Sequence, residues 1–215
     1  MAEESIRCRA ATPADLEAIL EVEKSWPEAS RAGADKFRAR LERFPQGFFV
    51  ACVGERMVAT ITAMPAVYDP RNVEHYRDWA SVTNDGFLFE HEAPGCNAIY
   101  IVSGVIDKDY RTLNIFDPMV LQEVELAQRF GMRYVIAGAV LPWFRKYSEE
   151  HPGVGAYEYC AARRGSRLLD PLLAMYERIG FSVPDARHVV AGYYPDDASR
   201  NYAALVVRDL STKPG

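Results

Sequence analysis

Ile106-Asp107-Lys108-Asp109-Tyr110-Arg111-Thr112-Leu113-Asn114-Ile115-Phe116-Asp117-Pro118 joins an apolar run to an amphipathic one. Upstream, Asn97 to Val105 (NAIYIVSGV) is short, mostly apolar and contains several β-branched residues, so it reads as a buried strand. From Met119 on, apolar Val120, Val124, Ala127 and Phe130 recur with polar Gln122, Glu123, Glu125 and Gln128 between them, which is helical spacing. Gly131 stops that helix, and Tyr134 to Ala137 start another apolar strand. The stretch is therefore the turn of a β-α-β unit. A helix start offers unpaired N–H donors and a positive dipole end to an anion. Asp117-Pro118 is the competing reading, because aspartate caps helices and proline suits a first turn, so the protein can satisfy its own donors there.

On the N-terminal side, Ile6 to Ala10 reads as a strand, and Thr12-Pro13-Ala14-Asp15 as a capping box that launches a helix to about Lys24. A second helix spans Ala34 to Arg43, and Gly47–Val53 with Met57–Met64 form a hairpin turning at Gly54-Glu55. Between Pro65 and Cys96 the pattern is irregular and rich in aromatics (Tyr68, Tyr76, Trp79, Phe87, Phe89). Such a segment is either a lid or a cover that buries its rings on the domain. Leu141 to Leu169 is irregular too. Asp170-Pro171 then repeats the cap-plus-proline signature ahead of a helix over Leu172–Ile179, ended by Gly180. Phe181–Ala191 and Tyr202–Val207 supply the last strands.

The chain has 215 residues, 49% of them hydrophobic, enough for a full core in a single domain over 1–215 with an insertion at 66–96. A net charge of −5 and a pI near 5.5 argue against nucleic-acid binding and against a polybasic membrane surface. Cys8, Cys52, Cys96 and Cys160 are widely spaced and read as thiols rather than a disulfide frame or a zinc site. No apolar stretch is long enough to span a membrane, and the acidic start is unlike a signal peptide, so a cytoplasmic location is expected.

The β-α-α-β-β opening, the unit around Arg111 and the run Tyr176-Glu177-Arg178-Ile179-Gly180-Phe181 together resemble the GNAT superfamily of acyl-CoA N-acyltransferases. The resemblance implies an α/β (α+β) fold with a mixed, mostly antiparallel central sheet flanked by helices. It implies acetyl-CoA or another acyl-CoA as donor, with the coenzyme pyrophosphate on an R/Q-x-x-G-x-G/A turn. Arg111 matches the first position of that motif, while Asn114 and Phe116 stand where glycines are usual. Arg111, Asn114, Ile115 and Phe116 are thus the implied cradle. Val102, Ser103, Gly104 and Val105 lie where the family's splayed strand pairs with the pantetheine arm, with Gly104 as the candidate bulge. Tyr176 falls where the family's tyrosine protonates the departing thiolate, a role suited to a phenol that stays protonated at neutral pH. Glu21, Glu90, His91 and Glu92 are candidate bases by chemistry alone.

A closer likeness is to the GNAT-like domains that open some polyketide synthases and to similar domains fused to nitrilase-type hydrolases. It rests on Pro142–Tyr147, on Arg164–Leu173 and on Tyr194–Ala203. Some polyketide members decarboxylate malonyl thioesters on a phosphopantetheine arm and need a histidine where Arg145 stands here. Arginine cannot relay a proton near neutral pH, although it can grip a carboxylate. Thr112 and Trp26 are further candidates. Acyl transfer to an amine on a small molecule is the leading expectation. The alternatives are a decarboxylase or S-acyltransferase working with an acyl carrier protein, and a catalytically silent module.

Overall fold

The computed structural model describes residues 5–89 and 95–211. The first half contains β1 (Ile6–Ala10), α1 (Leu16–Glu23), α2 (Ala34–Arg43), β2 (Phe48–Val53), β3 (Arg56–Ala66) and α3 (Trp79–Thr83). There follow β4 (Ala98–Ile106), α4 (Phe116–Arg129), β5 (Tyr134–Val140), α5 (Phe144–Glu150) and α6 (Ala156–Ala161). A small hairpin, β6 (Arg163–Arg164) and β7 (Arg167–Leu168), precedes α7 (Pro171–Arg178), β8 (Val189–Ala191) and β9 (Tyr202–Asp209).

Among the described residues, seven strands form one sheet in the order β1-β2-β3-β4-β5-β9-β8. Neighbours are antiparallel except β4 and β5, whose parallel pairing needs the α4 crossover. The expected mixed, mostly antiparallel sheet with flanking helices is thus the one observed. Side-chain alternation explains why β2 is apolar throughout: Phe48, Val50 and Cys52 pack with Ile19, Val22 and Phe37 of α1 and α2. Its intervening residues Phe49, Ala51 and Val53 join Val120, Val124 and Ala127 of α4 in the larger core. None of the helices among the described residues is long and apolar enough to cross a membrane.

Several expectations change. The sheet register slips between Thr62 and Ala63, which pair with Ser103 and Ile101, so the bulge residue is Val102 and not Gly104. α4 begins at Phe116, and Asp117 binds Arg178 instead of capping the helix, with contacts of 2.9 and 2.7 Å. Leu141–Leu169 is not irregular but carries α5, α6 and the β6-β7 hairpin. Phe181–Ala191 yields only the short β8, because Ser182 makes an isolated bridge to Val207 and the chain then leaves the sheet.

Glu123, read as part of the polar face of α4, is fully buried, and neither carboxylate oxygen has a hydrogen-bond partner among the described residues. Burial raises its pKa well above the ordinary glutamate value. The folded pKa exceeds the unfolded one, so burying this group costs least below the ordinary glutamate range, and the cost grows as pH rises toward its raised pKa. Glu123→Met is predicted to stabilise the protein at neutral pH by about 1–3 kcal/mol. Thermal unfolding should show a Tm higher by about 2–4 °C per kcal/mol, with the gain shrinking as pH is lowered toward the unfolded glutamate pKa.

Candidate active site

β4 and β5 pair only from Ala98↔Tyr134 to Ile101↔Ala137 and then part. Beyond that point β4 continues against β3, through Ser103↔Thr62 to Ile106↔Ala59. β5 continues against β9, through Gly138↔Leu205 to Val140↔Ala203. Each strand keeps one ladder and turns its other edge, with alternate free N–H and C=O groups, into the gap. The gap is a cleft of about 730 Å³ lined on its two sides by Val102–Ile106 and Ala137–Val140. At the bulge, the Trp79 indole donates to the Val102 carbonyl at 2.8 Å. Trp79 in turn is fixed by its backbone N–H, which donates to the Tyr193 carbonyl at 2.9 Å.

Tyr176 of α7 reaches this cleft. Asp170 starts α7 by accepting from the N–H groups of Leu172 (3.0 Å) and Leu173 (3.1 Å) and from the Tyr159 hydroxyl (2.8 Å), as its cap signature foretold. The Tyr176 ring meets Phe116 and Phe181 edge-on, with centroids 4.9 and 5.1 Å away. Its hydroxyl has no hydrogen-bond partner among the described residues. Burial, with the Tyr193 phenol adding to it, holds its pKa above the ordinary phenol range, so it is protonated at neutral pH. The Tyr193 and Tyr100 hydroxyls are in hydrogen-bond contact beside it. Gly138 makes room for them, since a Cβ at that position would fall on the Tyr193 hydroxyl.

The cleft is also lined by two buried charges that the sequence reading did not single out. Glu23, at the end of α1, is 7% exposed and accepts the Ala32 N–H on Oε1 at 2.8 Å; burial raises its pKa. Arg40, on α2, is 2% exposed and lies over the Phe37 ring. Its Nε donates to the Gly86 carbonyl at 2.8 Å and its Nη1 to the Ser103 hydroxyl at 2.9 Å. Burial pushes its pKa down to about 10, with Glu23 acting in the opposite direction. The carbonyl it uses is presented by a loop in which Asn84, Asp85 and Gly86 all have positive φ. A signal for both residues was in the sequence: Ile19-Val22-Glu23 and Phe37-Arg40-Leu41 share i, i+3, i+4 spacing, so each charge sits on a buried helical stripe.

A second cavity, of about 470 Å³, adjoins the first, and the two share Ile106, Arg111, Phe116 and Met175 as lining. Arg111, Asn114 and Thr112 lie there, Thr112 on the surface and away from the main cleft. Phe116 opens α4, so its N–H and that of Asp117 have no intrahelical acceptor. The Phe116 ring turns onto Tyr176. Ile115 is fully buried and its N–H donates to the Leu113 carbonyl, so it offers no free donor. Asn114 does not adopt the left-handed backbone a glycine permits; its amide donates to Asp117 at 3.2 Å. Asp117 is neutralised by Arg178, leaving Arg111 as net positive charge.

Three candidates move out of the main cleft. Arg145 is exposed and pairs with Asp197 at 3.1 Å, because α5 turns it outward. Glu21 is exposed and pairs with Lys24 at 2.5 Å. Thr112 belongs to the second cavity, as above. Trp26 lines the main cleft at 36% exposure. Glu90, His91 and Glu92 lie outside the described residues.

No protein-family model matches the chain. It is 26% identical over 208 residues to "Uncharacterized N-acetyltransferase YkwB" of Bacillus subtilis, covering 94% of this chain and 88% of that protein. It is also 26% identical over 194 residues to "Probable hydrolase YhcX" of the same organism, covering 89% of this chain but only 36% of that longer protein. Among solved structures, the loading GNATL domain of CurA from Lyngbya majuscula superposes with TM-score 0.75 at 19% identity, over 97% of this chain and 100% of that one. The GphF GNAT-like decarboxylase, solved with isobutyryl-CoA, superposes with TM-score 0.75 at 23% identity, over 95% and 99%. The fold is that of the GNAT acyltransferases.

Gly138→Ala is predicted to push the Tyr193 phenol off its seat and to lower stability by about 1–3 kcal/mol. Denaturant unfolding checks this.

Proposed function

We propose that this protein is an acyltransferase that moves a small acyl group from a coenzyme A thioester to an amine. The observation that carries the reading is the parting of β4 from β5 after Ile101, with the unpartnered, protonated Tyr176 hydroxyl at the cleft. Arg111 and the free N–H groups of Phe116 and Asp117 would hold the pyrophosphate at the start of α4. The free edge of β4 from Val102 to Val105 would take the pantetheine arm, and its N–H groups would polarise the thioester carbonyl. The thioester supplies the activated acyl carbon.

Glu23 is the residue placed to accept a proton from the attacking amine, since it is buried at the cleft with a raised pKa. As the new C–N bond forms and the C–S bond breaks, Tyr176 donates its proton to the departing sulfur. The proton taken by Glu23 returns to Tyr176 through solvent, which closes the cycle. Ser103 acts through Arg40, to which it is hydrogen bonded.

A second reading is the carrier-protein one, a malonyl-thioester decarboxylase or S-acyltransferase. What favours it is the TM-score of 0.75 shared by CurA and GphF, against 0.57 for the ribosomal-protein-S18-alanine N-acetyltransferase of Escherichia coli. Against it stands the outward placement of Arg145. Carbon dioxide release from malonyl-CoA separates the two.

Tyr176→Phe is predicted to lower kcat by about 10²- to 10⁴-fold. Acyl-CoA affinity by calorimetry should stay within about twofold, because the lost interaction is made in the transition state. An unchanged kcat would reject Tyr176 as the acid. Arg111→Ala is expected to weaken coenzyme A about threefold to tenfold and to leave pantetheine binding untouched, as an exposed phosphate contact should.

A further inference from the structure

Most charged side chains lining the cleft are already partnered by the protein. Lys36 pairs with Asp85 at 2.9 Å. Arg31 donates to the carbonyls of Trp26 (2.9 Å) and Lys24 (3.0 Å), and Asp78 accepts the Ser81 N–H at 2.9 Å. Glu23 and Arg40 differ. Each is more than nine-tenths buried, yet each keeps one polar atom uncommitted. Arg40 uses Nε and Nη1, while Nη2 makes no hydrogen bond to a described residue. Glu23 uses Oε1 on Ala32, while Oε2 makes none. Neither atom is sealed in the core, because the only fully enclosed unpaired side-chain oxygens among the described residues are those of Glu123.

The two charges act on each other electrostatically and still form no ion pair. A buried guanidinium and a buried carboxylate line one cleft without closing on each other, so the cleft offers a ligand one positive and one negative group. The complementary ligand is a molecule that carries both an ammonium and a carboxylate. A simple amine would leave the open donor of Arg40 unused, and a plain carboxylate would leave the open oxygen of Glu23 unused.

We infer that the acyl acceptor is a free amino acid, held with its carboxylate on Arg40 and its amino group toward Glu23. This inference rests on the N-acyl transfer reading and narrows its acceptor to a class. Arg40 reads the acceptor and Ser103 steadies the guanidinium by accepting from Nη1. The loop at Asn84–Gly86, which carries the carbonyl under Arg40, then becomes a positioning element of the acceptor site.

The test uses the purified full chain with acetyl-CoA, propionyl-CoA or malonyl-CoA as donor, reading thiol release and acylated product by mass spectrometry. Acceptors are the common free amino acids, each beside its carboxamide and its decarboxylated amine. The expected result is that at least one amino acid is acylated with kcat/KM about 10- to 100-fold above its carboxamide. Arg40→Lys, which keeps the charge but loses the paired donors, should cut that ratio several-fold; if the variant does not fold, the ratio in the unaltered protein decides. Equal rates with acid and carboxamide would overturn the inference and leave N-acyl transfer standing. Failure of every amine, with or without donor hydrolysis, would take the proposed function down and the inference with it. Carbon dioxide release from malonyl-CoA that is lost in Arg40→Lys would assign the guanidinium to the acyl carboxylate instead and overturn the acceptor assignment.

Discussion

The structure turns on a pairing that stops early. β4 and β5 share four residue pairs and then each commits its remaining ladder to a different neighbour, β3 on one side and β9 on the other. Since a strand has two edges, both are left with one free edge, and the sheet opens there without breaking. The bulge at Val102 adds a residue to β4 at the point of divergence, which re-aims everything from Ser103 to Ile106. Trp79 and Tyr193 hold the opening by donating to the bulge carbonyl and by seating a phenol over Gly138.

Three buried acidic or basic side chains show what the fold tolerates for different reasons. Glu123 is buried on α4 with no hydrogen-bond partner among the described residues, and its burial is a cost that protonation reduces. Glu23 and Arg40 are buried too, but both border the cleft and each has half of its hydrogen-bonding capacity met by the backbone or by Ser103. A charge that is half satisfied and half open is the arrangement expected of a binding group, whereas an enclosed unpaired one is not.

Local signals in the sequence located the ends of elements well where a side chain closes on its own backbone. The Thr12–Asp15 box and the Asp170-Pro171 cap both form, because such bonds span only two or three residues. The same logic misled at Asp117-Pro118. There the aspartate found a stronger partner in Arg178, which is far away in the chain and brought near by the docking of α7 against the start of α4. The Leu141–Leu169 region hid two helices for a related reason: α5 and α6 are short and gain their order from packing Phe144 and Tyr159 into the core, not from a repeating apolar stripe.

By itself the sequence determined the β-α-β unit and the helix that carries Tyr176, since periodicity and capping are properties of neighbouring residues, while the mixed sheet followed from the family resemblance. Only the tertiary structure decided where the bulge falls, that Arg145 faces solvent, and that Glu23 and Arg40 meet at one cleft. Those outcomes depend on register, crossover and burial, which are set by contacts between residues remote in the chain, and a charged residue announces its desolvation only once its neighbours are in place.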